Sequence, residues 1–377
     1  MIHRLGMVVA AALFAQSARA DYFAYDLETT FGIRATAFNE NRQFAGSFDF
    51  PGEGLRAFRF DIGSGPINLG TLGGAFSMAT ALNNVGWVAG DSRTNPANSV
   101  VHSFLWRPGI GMTDLGTLGG TGSASAAVNQ VGWVVGNSQT PGNAFTQAFL
   151  WRPETGTMVS LGSLNNTNSA ATGVNLGGAV VGVSDSPAGV NRPFLWTPTG
   201  GLTDLGGLGG PNAAGRANGI NDANSIVGAS DRGDGTTGAF LWQPGIGFLD
   251  LGTLGGINAS ATSITQSGIV VGTAENAGLE PRAFVWDATN GIRDLNDLIL
   301  GGGGIGLTLT NALAVSDRGD ILAVRQGQDG ASYFLLTEQP LDTNSVPAPA
   351  AFALVLAALP IFGYRRFRQP RVAGALV

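Results

Sequence analysis

The hexapeptide LGTLGG occurs at residues 69–74, 115–120 and 251–256, and the variants LGSLNN and LGGLGG begin at Leu161 and Leu205. A glycine-rich loop binds phosphate when its backbone N–H groups converge at the start of a helix, usually with a lysine. The chain contains no lysine, and short apolar runs rather than helical patterns follow the hexapeptides. We therefore interpret the hexapeptide as the connection between repeated units, where glycine lets the backbone turn and approach its neighbour.

Two further markers give the period of the repeat. A tryptophan ends an apolar triplet at intervals of 45, 45, 46 and 44 residues, and Phe60 and Phe334 extend this series at its two ends. An asparagine precedes a turn and an apolar run once per repeat, with Thr265 and Ser316 in its place in the last two copies. The tryptophans are Trp106, Trp151, Trp196, Trp242 and Trp286, and the asparagines are Asn39, Asn83, Asn129, Asn175 and Asn221. The sequence therefore contains seven copies of a unit of about 46 residues.

Each unit contains four short apolar runs. In the second unit they are residues 78–82, 87–91, 103–106 and 112–115, separated by turn sequences such as NNVG and RPGIG. Four short strands in about 46 residues are typical of a propeller blade. The seventh unit has only three runs, 311–315, 319–325 and 332–336, whereas residues 22–27 form a spare strand at the other end.

We therefore predict an all-β fold, a seven-bladed β-propeller over residues 21–340 whose last blade is completed by the N-terminal strand. Closure of this kind removes the open sheet edges that promote aggregation. The alternative is a β-solenoid with about two coils per repeat, which would leave the strand at residues 22–27 without a role.

Composition narrows the range of functions. The chain has 377 residues with 59 glycines and no cysteine, which excludes disulfides and thiolate metal sites. Residues 21–346 carry 14 arginines and 26 acidic residues, a net charge of 14 − 26 = −12. Nucleic-acid binding requires a basic face. We therefore expect no nucleic-acid partner.

Both ends of the chain have the features of sorting signals. Residues 1–20 combine a basic start, an apolar stretch and a small-x-small site, which predicts a signal peptide with Ala18, Ala20 and Asp21 at its cleavage point. Residues 341–350 form a linker, residues 351–364 are apolar and predict a transmembrane helix, and residues 365–377 are basic and predict a cytoplasmic tail. The body would then be secreted across the membrane, with the basic tail left in the cytoplasm.

The C-terminal segment resembles the PEP-CTERM sorting signal, which combines a Val-Pro-Glu-Pro motif with an apolar segment and a basic end. Val346, Pro347, Pro349 and Ala350 match the motif region, with Ala348 where the family has Glu, and Arg365, Arg366 and Arg368 match the basic end. The resemblance covers about 25 residues. It implies secretion across the inner membrane of a Gram-negative bacterium, with an exosortase-type sorting protease as partner and release to the cell surface or extracellular matrix. The departure at Ala348 leaves a permanently anchored protein as the alternative.

The repeats resemble the HAF repeat of extracellular proteins. The segment HSFLWRPGIGMTDLGTLGG at residues 102–120 matches that repeat along most of its length, and the resemblance covers most of residues 36–336. It implies a secreted or surface protein. It transfers no functional residues to this chain.

Several repeated side chains could belong to a site. The tryptophans could stack on sugars, but their fixed place in an apolar triplet favours packing between blades. His102 is the single histidine outside residues 1–20, and Asp114, Asp204, Asp250 and Asp294 recur before leucine, which favours a repeated structural hydrogen bond. Arg-Gly-Asp occurs at residues 232–234 and 318–320, the second copy within a repeat turn. The sequence therefore assigns no catalytic, cofactor-binding or metal-binding residue, and no cofactor.

We accordingly expect a non-enzymatic exported protein that is a structural or interaction component of the envelope or of an extracellular polysaccharide matrix. One alternative is a lectin-like propeller that binds glycans in pockets between blades. Another is a polysaccharide hydrolase or lyase, which requires two unique carboxylates about 5–9.5 Å apart near the axis. Acidic residues placed one per blade at equal radius would argue against the enzyme.

Overall fold

The computed structural model describes residues 21–97, 100–300, 307–327 and 330–341. In these ranges the regular structure is almost entirely β-strand, arranged as seven four-stranded antiparallel sheets. The first strand of each sheet contacts the first strands of the neighbouring sheets, so these strands form the inner wall and the sheets radiate from it. The predicted seven-bladed β-propeller is confirmed, and the β-solenoid alternative was wrong.

Each blade is a simple meander of neighbouring strands. Blade 1 contains β2 (Ala35–Phe38), β3 (Gln43–Phe50), β4 (Gly54–Asp61) and β5 (Gly65–Asn68); blade 2 contains β6 (Ser77–Leu82), β7 (Val88–Arg93), β8 (Val101–Arg107) and β9 (Gly111–Asp114); blade 3 contains β10 (Ser123–Val128), β11 (Val134–Gln139), β12 (Thr146–Arg152) and β13 (Thr157–Gly162); blade 4 contains β14 (Ser169–Val174), β15 (Val180–Asp185), β16 (Asn191–Thr197) and β17 (Gly201–Asp204). Blade 5 contains β18 (Gly215–Ile220), β19 (Ile226–Asp231), β20 (Thr237–Gln243) and β21 (Gly247–Asp250); blade 6 contains β22 (Gly255–Ile264), β23 (Val270–Asn276), β24 (Pro281–Asp287) and β25 (Gly291–Asp294); blade 7 contains β26 (Asn311–Val315), β27 (Ile321–Gly327), β28 (Gly330–Thr337) and β1 (Phe23–Asp26). Within the described ranges the helical elements are α1 (Leu27–Phe31) and two 3₁₀ turns, Pro141–Asn143 and Leu295–Leu298.

The N-terminal strand closes the ring as the fourth strand of blade 7. Strand β1 pairs antiparallel with β28, with Phe23 opposite Thr337 and Asp26 opposite Phe334. The strand is shorter than the predicted residues 22–27. Leu27 already begins α1, because the Asp26 side chain caps that helix by accepting from two backbone N–H groups.

Glycine and phenylalanine together form the centre of six blades. The second strand carries a glycine opposite a fully buried phenylalanine of the third strand, as Gly182 lies opposite Phe194. A Cβ on Gly182 would lie 2.9 Å from the Phe194 ring and would also clash with the Ala170 carbonyl oxygen. Blade 7 has Ala323 at this position instead, opposite Phe334. The repeated V-V-G pattern therefore follows from the close packing of ring on backbone.

The antiparallel meander gives the ring two distinct faces. The turns between first and second strands and between third and fourth strands lie at one end of every blade, which we name the turn face. The loops between second and third strands and the connections between blades lie at the other end, which we name the crossover face. The hexapeptide at residues 115–120 follows the end of β9 and belongs to a crossover.

The predicted terminal signals fall outside the described ranges. This applies to Ala18 and Ala20, to the sorting motif at 346–350, to the apolar segment 351–364 and to the basic tail, and Asp21 is the first described residue. Among the described residues, no helix is both long and apolar enough to span a bilayer.

Candidate functional site

The five repeated tryptophans lie in the apolar layers between blades. Trp151 and Trp286 are buried, and Trp106, Trp196 and Trp242 are partly buried against the same kind of cluster. In blade 2, Phe104 and Trp106 pack toward blade 1, whereas Leu105 packs toward blade 3. The third strand therefore contributes to the core on both sides of its blade.

Two additional tryptophans lie over glycines of the next blade on the turn face. A Cβ on Gly132 would clash with the Trp87 ring, and a Cβ on Gly178 would clash with the Trp133 ring. The Arg152 guanidinium lies 4.6 Å from the Trp133 ring centroid. These two rings are half-buried and join neighbouring blades.

The recurring aspartates each close a turn where the fourth strand ends. The Asp114 carboxylate accepts the Gly116 N–H at 2.8 Å, and Asp204, Asp250 and Asp294 make the equivalent bond to the residue two positions on. Asp26, Asn68 and Ser160 take this role in the other three blades. The same turn therefore starts the connection after the fourth strand in all seven blades.

The histidine position of the repeat lies beside this aspartate. His102 Nδ1 is 3.0 Å from the Asp114 carboxylate, and Arg192 and Arg282 pair with Asp204 and Asp294 at the equivalent places. The single described histidine is thus an ordinary repeat position. Among the described residues, no group of three or more His, Asp and Glu side chains could hold a metal ion.

The hexapeptides pack directly onto the second strand of the next blade. Leu72 N–H donates to the Ser92 hydroxyl at 2.9 Å, and Gly74 N–H donates to the Arg93 carbonyl at 3.0 Å. A Cβ on Gly120, the counterpart of Gly74, would lie 2.6 Å from Gln139 Cβ. These N–H groups are used within the protein, as expected for a crossover and not for a phosphate loop.

Both Arg-Gly-Asp segments are bound into the fold. Arg232 forms two hydrogen bonds to Asp250, and the Asp234 carboxylate accepts from the backbone and hydroxyl of Thr236. Asp320 is 3% exposed and pairs with Arg42. The second segment therefore does not present its carboxylate to a partner.

Buried asparagines link successive blades on the turn face. In each link the side-chain Nδ2 donates to the backbone carbonyl of the equivalent residue one blade on, while Oδ1 accepts N–H groups of its own turn, as Asn83 does from Trp87. We name this series the amide ladder. It runs from Asn39 through Asn83, Asn129, Asn175 and Asn221 to Thr265, with bonds of 2.8–3.1 Å.

The residue after each ladder position forms a second circle, which we name the mouth ring. Its backbone N–H donates to the side chain of the next ring member at 2.7–3.1 Å. The last bond, from Asp317 N–H to Glu40, joins blade 7 to blade 1. The members in order are Glu40, Asn84, Gln130, Leu176, Asp222, Gln266 and Asp317. Leu176 has no acceptor to offer Gln130, so the ring is interrupted at that seam.

A cavity of about 340 Å³ lies inside the mouth ring. Six ring members line it together with parts of the first strands. The amide oxygens of Asn84, Gln130 and Gln266 accept backbone N–H groups within the mouth ring. Their NH₂ groups are therefore the polar atoms that remain for a molecule in the cavity. Glu40, Asp222 and Asp317 add carboxylates, one from each of three blades.

The seam between blades 7 and 1 has its own ion pair. Ser316 stands where the amide ladder would need an asparagine to reach blade 1. Arg42 instead binds Asp320 through Nε and Nη2 at 2.7 and 2.9 Å. A bidentate bond to a buried carboxylate thus stands in for an amide link at the seam where the ring closes.

Two grooves lie at repeat-equivalent places on the crossover face. The first, about 410 Å³, lies between blades 2 and 3, and the second, about 160 Å³, lies between blades 3 and 4. Hydroxyl and amide side chains line both, the Asp185 carboxylate also lines the second, and Thr146 lines both. They correspond to the pockets between blades that a lectin-like protein would require.

One buried carboxylate has a perturbed pKa. Burial raises the pKa of Asp91 from 3.8 to about 6, although hydrogen bonds from the Ser125 backbone and hydroxyl oppose this shift. Asp91 lies on β7 and Ser125 on β10. This group therefore connects blades 2 and 3 with a bond that depends on pH.

Sequence reasoning identified the ladder positions but missed the mouth ring and the grooves. The ring members differ in residue type, yet six of the seven carry a side-chain oxygen directly after the marker residue. That shared acceptor was the available signal. The grooves depend on which side chains fill the space between blades, for which the repeat pattern gives no rule.

Comparisons with known proteins extend to the fold alone. No protein-family model matches the chain, and no curated protein does. Among solved structures it is similar to the β-propeller domain of the Trilobed protease from Pyrococcus furiosus, at 8% identity and a TM-score of 0.53, over 86% of this chain and 97% of that one. It is also similar to the acylaminoacyl peptidase from Pyrococcus horikoshii, at 12% identity and a TM-score of 0.51, over 91% of this chain and 57% of that one.

A third similar structure is the BP39L lectin from Burkholderia pseudomallei, at 12% identity and a TM-score of 0.43, over 85% of this chain and 96% of that one. The similar propellers therefore include peptidases and a lectin. The chain spans little more than half the length of the P. horikoshii peptidase. Likeness at these identities shows the propeller fold and does not choose between an enzyme and a binding protein.

Proposed function

We propose that this chain is an exported, non-enzymatic repeat protein, a structural or interaction component of the cell envelope or of an extracellular polysaccharide matrix. The two terminal segments support export: a signal peptide at residues 1–20, and a sorting segment at 346–377 recognised by an exosortase-type protease. The helix at residues 351–364 would anchor the protein in the membrane before any release.

The mouth ring is the observation that carries the non-enzymatic part of this proposal. A glycosidase needs two unique carboxylates held in a defined relation to the substrate. The carboxylates at the axis occupy the same repeat position in separate blades, and each accepts a backbone N–H of the preceding blade. Their arrangement serves the contact between blades.

Cell fractionation of the producing bacterium tests the export proposal. Mass spectrometry of the mature protein should find Asp21 at the N-terminus, and the protein should occur in the membrane, surface or matrix fraction. A variant lacking residues 346–377 should be absent from the membrane fraction. As a control, a deletion of equal size in an unrelated exported protein should not change the distribution of the protein described here among the fractions. Full-length protein in the cytoplasm with residues 1–20 intact would contradict the proposal.

A gene deletion tests the role in the matrix. We expect weaker surface adhesion or less retained polysaccharide, restored by the wild-type gene. Unchanged matrix and adhesion would argue against a matrix component.

The second candidate function is glycan binding, favoured by the two grooves at equivalent places between blades 2, 3 and 4, whose linings include hydroxyl and amide side chains. Hydroxyl and amide side chains pair well with sugar hydroxyls because each can donate and accept. A glycan array is the direct test. Binding to a defined set of glycans would support this candidate, and silence over the whole array would contradict it.

A further inference from the structure

We propose that the crossover face of blades 2, 3 and 4 carries one continuous binding groove for an extended, uncharged polysaccharide chain. This inference rests on the second candidate function, glycan binding, and names the site and the ligand class. Three observations carry it: the continuity of the two grooves, the side chains that occupy the other seams and the chemistry of the lining.

The two grooves share a wall. Thr146, the first residue of β12, lines the groove between blades 2 and 3 and also the groove between blades 3 and 4. The cavities of about 410 and 160 Å³ therefore adjoin at this residue. A chain-like ligand that lies in one groove can continue past Thr146 into the other.

Arginine side chains reach the crossover at other seams. Arg56 and Arg192 occupy the same place in the third strand and donate to the carbonyl oxygens of Ala75 and Ala213, both at 2.6 Å. In blade 5 this place is taken by Gly238, and Arg232 from the preceding loop donates to the Ile257 carbonyl oxygen at 2.9 Å. The repeat-equivalent carbonyl after blade 2 belongs to Thr121, which lines the larger groove. At the arginine position blade 2 has His102, which bonds instead to Asp114.

Blade 3 is intermediate between blade 2 and the blades from which an arginine reaches the crossover. Gln147 stands at the arginine position and reaches the equivalent carbonyl of Thr167 with a bond of 3.3 Å. Its groove is the smaller of the two. In blades 2 and 3 the side chain at this position is shorter than arginine, and the loop between the second and third strands contains no arginine that could replace it. The space between the blades therefore opens at these two seams.

The lining of the larger groove fits a neutral, hydroxyl-bearing ligand. The described residues that line it include Thr121, Ser123, Asn137, Gln139 and Thr146 and no charged side chain. In the part of the chain that the structure describes, the side-chain amide of Asn137 makes no hydrogen bond. Its counterparts in blades 4 and 5, Val183 and Ala229, are apolar, whereas those in blades 1, 2 and 6 are polar. A polyanion would find no cation here and would meet a body with a net charge of −12, so an uncharged polymer is favoured.

Binding by the full-length protein to oligosaccharides tests the proposal. The probes are neutral hexasaccharides with β-1,4, β-1,3 and α-1,6 linkages, the matching disaccharides, and an alginate hexasaccharide as the anionic comparison. We expect at least one neutral hexasaccharide to bind about tenfold more tightly than its disaccharide and than the alginate.

Three variants locate the site. Thr146→Trp fills the junction and should weaken binding by at least about tenfold, whereas Thr237→Trp, at the equivalent exposed position of blade 5, should leave binding unchanged. Asn137→Ala should weaken binding by about three- to tenfold, and the fold tolerates it because alanine occupies this position in blade 5. Equal melting temperatures of the two tryptophan variants control for folding.

The outcomes separate this inference from the functions on which it rests. If a neutral hexasaccharide binds but Thr146→Trp and Thr237→Trp bind it equally, the groove is wrong and glycan binding stands. If the alginate binds more tightly than every neutral probe, the ligand class is wrong. If no probe binds, both the inference and the glycan-binding function fail, while the matrix role is decided by fractionation and gene deletion.

Discussion

At the residue scale, a few small or polar side chains set the geometry that the repeat copies. The glycine of each V-V-G run and the asparagine of each marker were visible in the sequence as periodic residues. Their effects were not, because they depend on neighbours that are distant in the sequence. The glycine that accommodates Phe194 lies 194 − 182 = 12 residues before it, and the Asn129 amide bonds to a residue 46 positions on. The period could be predicted, whereas the contact partners required the fold.

Gly136 should not tolerate a side chain. A Cβ would lie 2.9 Å from Ser125 Cα and would clash with the Ala124 carbonyl oxygen. We expect Gly136→Ala to lower the free energy of unfolding by about 1–3 kcal/mol. Gly177→Ala is the matched control, since its Cβ would meet only the Asn175 amide oxygen at 3.5 Å. Chemical denaturation measures both, and equal stabilities of the two variants would contradict the packing described for Gly136.

Asp91 should make stability depend on pH. The folded-state pKa is about 6 and the ordinary value is 3.8, so between about pH 4 and pH 6 the folded protein binds a proton that the unfolded chain does not. The contribution of Asp91 therefore stabilises the fold at low pH and is lost as the pH rises through about 6. We expect Asp91→Asn to raise the free energy of unfolding at pH 7 by roughly 2–3 kcal/mol and to flatten this dependence.

Urea denaturation of the wild type and of Asp91→Asn between about pH 4 and pH 7 measures the effect. Asp49→Asn, an exposed carboxylate on β3, serves as the control and should follow the wild type. If the difference in free energy of unfolding between Asp91→Asn and the wild type did not change with pH, the Asp91 carboxylate would not be titrating in this range.

At the element scale, the turns between first and second strands do more than reverse the chain. Their ladder asparagines and mouth-ring residues bond each turn to the next, so seven local hairpins become one circular structure. The mouth ring escaped sequence reasoning because Glu, Asn, Gln and Asp look unrelated until their shared acceptor oxygen is considered. Leu176 is the one member without such an oxygen.

Replacing Leu176 should repair the interruption. Leu176 is 50% exposed, and an aspartate there could accept the Gln130 N–H as Asp222 accepts the Leu176 N–H at 2.8 Å. We expect Leu176→Asp to raise the free energy of unfolding by about 0.5–1.5 kcal/mol. Val131→Asp replaces an equally exposed apolar residue outside the ring and should give no gain. A loss of stability in Leu176→Asp relative to Val131→Asp would contradict the ring.

At the scale of the whole molecule, the ring depends on the seam between blades 7 and 1, where the two ends of the propeller meet. Blades 7 and 1 are joined by the Arg42–Asp320 pair, by the Asp317–Glu40 bond and by the strand that the N-terminus adds to blade 7. The sequence predicted this closing strand because one unit lacked a run and the other end had a spare one. It did not predict the ion pair, whose two members are 278 residues apart.

Loss of the seam ion pair should be costly. Asp320→Ala leaves the partly buried Arg42 without its partner, and we expect the free energy of unfolding to fall by about 3–5 kcal/mol. Glu28→Ala removes the exposed pair with Arg34 and should cost less than about 1 kcal/mol. Thermal or chemical denaturation compares them. Equal effects would mean that the seam pair contributes no more than a surface pair.

The most direct test of the closed ring is a crosslink between the first and last described strands. The chain has no cysteine, so the pairs Ala24→Cys with Leu336→Cys and Tyr25→Cys with Leu335→Cys introduce the only thiols, at positions that face each other in the register of β1 and β28. The closed propeller predicts that at least one pair oxidises to an intramolecular disulfide, seen by non-reducing mass spectrometry as a peptide from the N-terminus joined to one from β28. Free thiols in both folded double variants, or disulfides only between molecules, would contradict closure by the N-terminal strand.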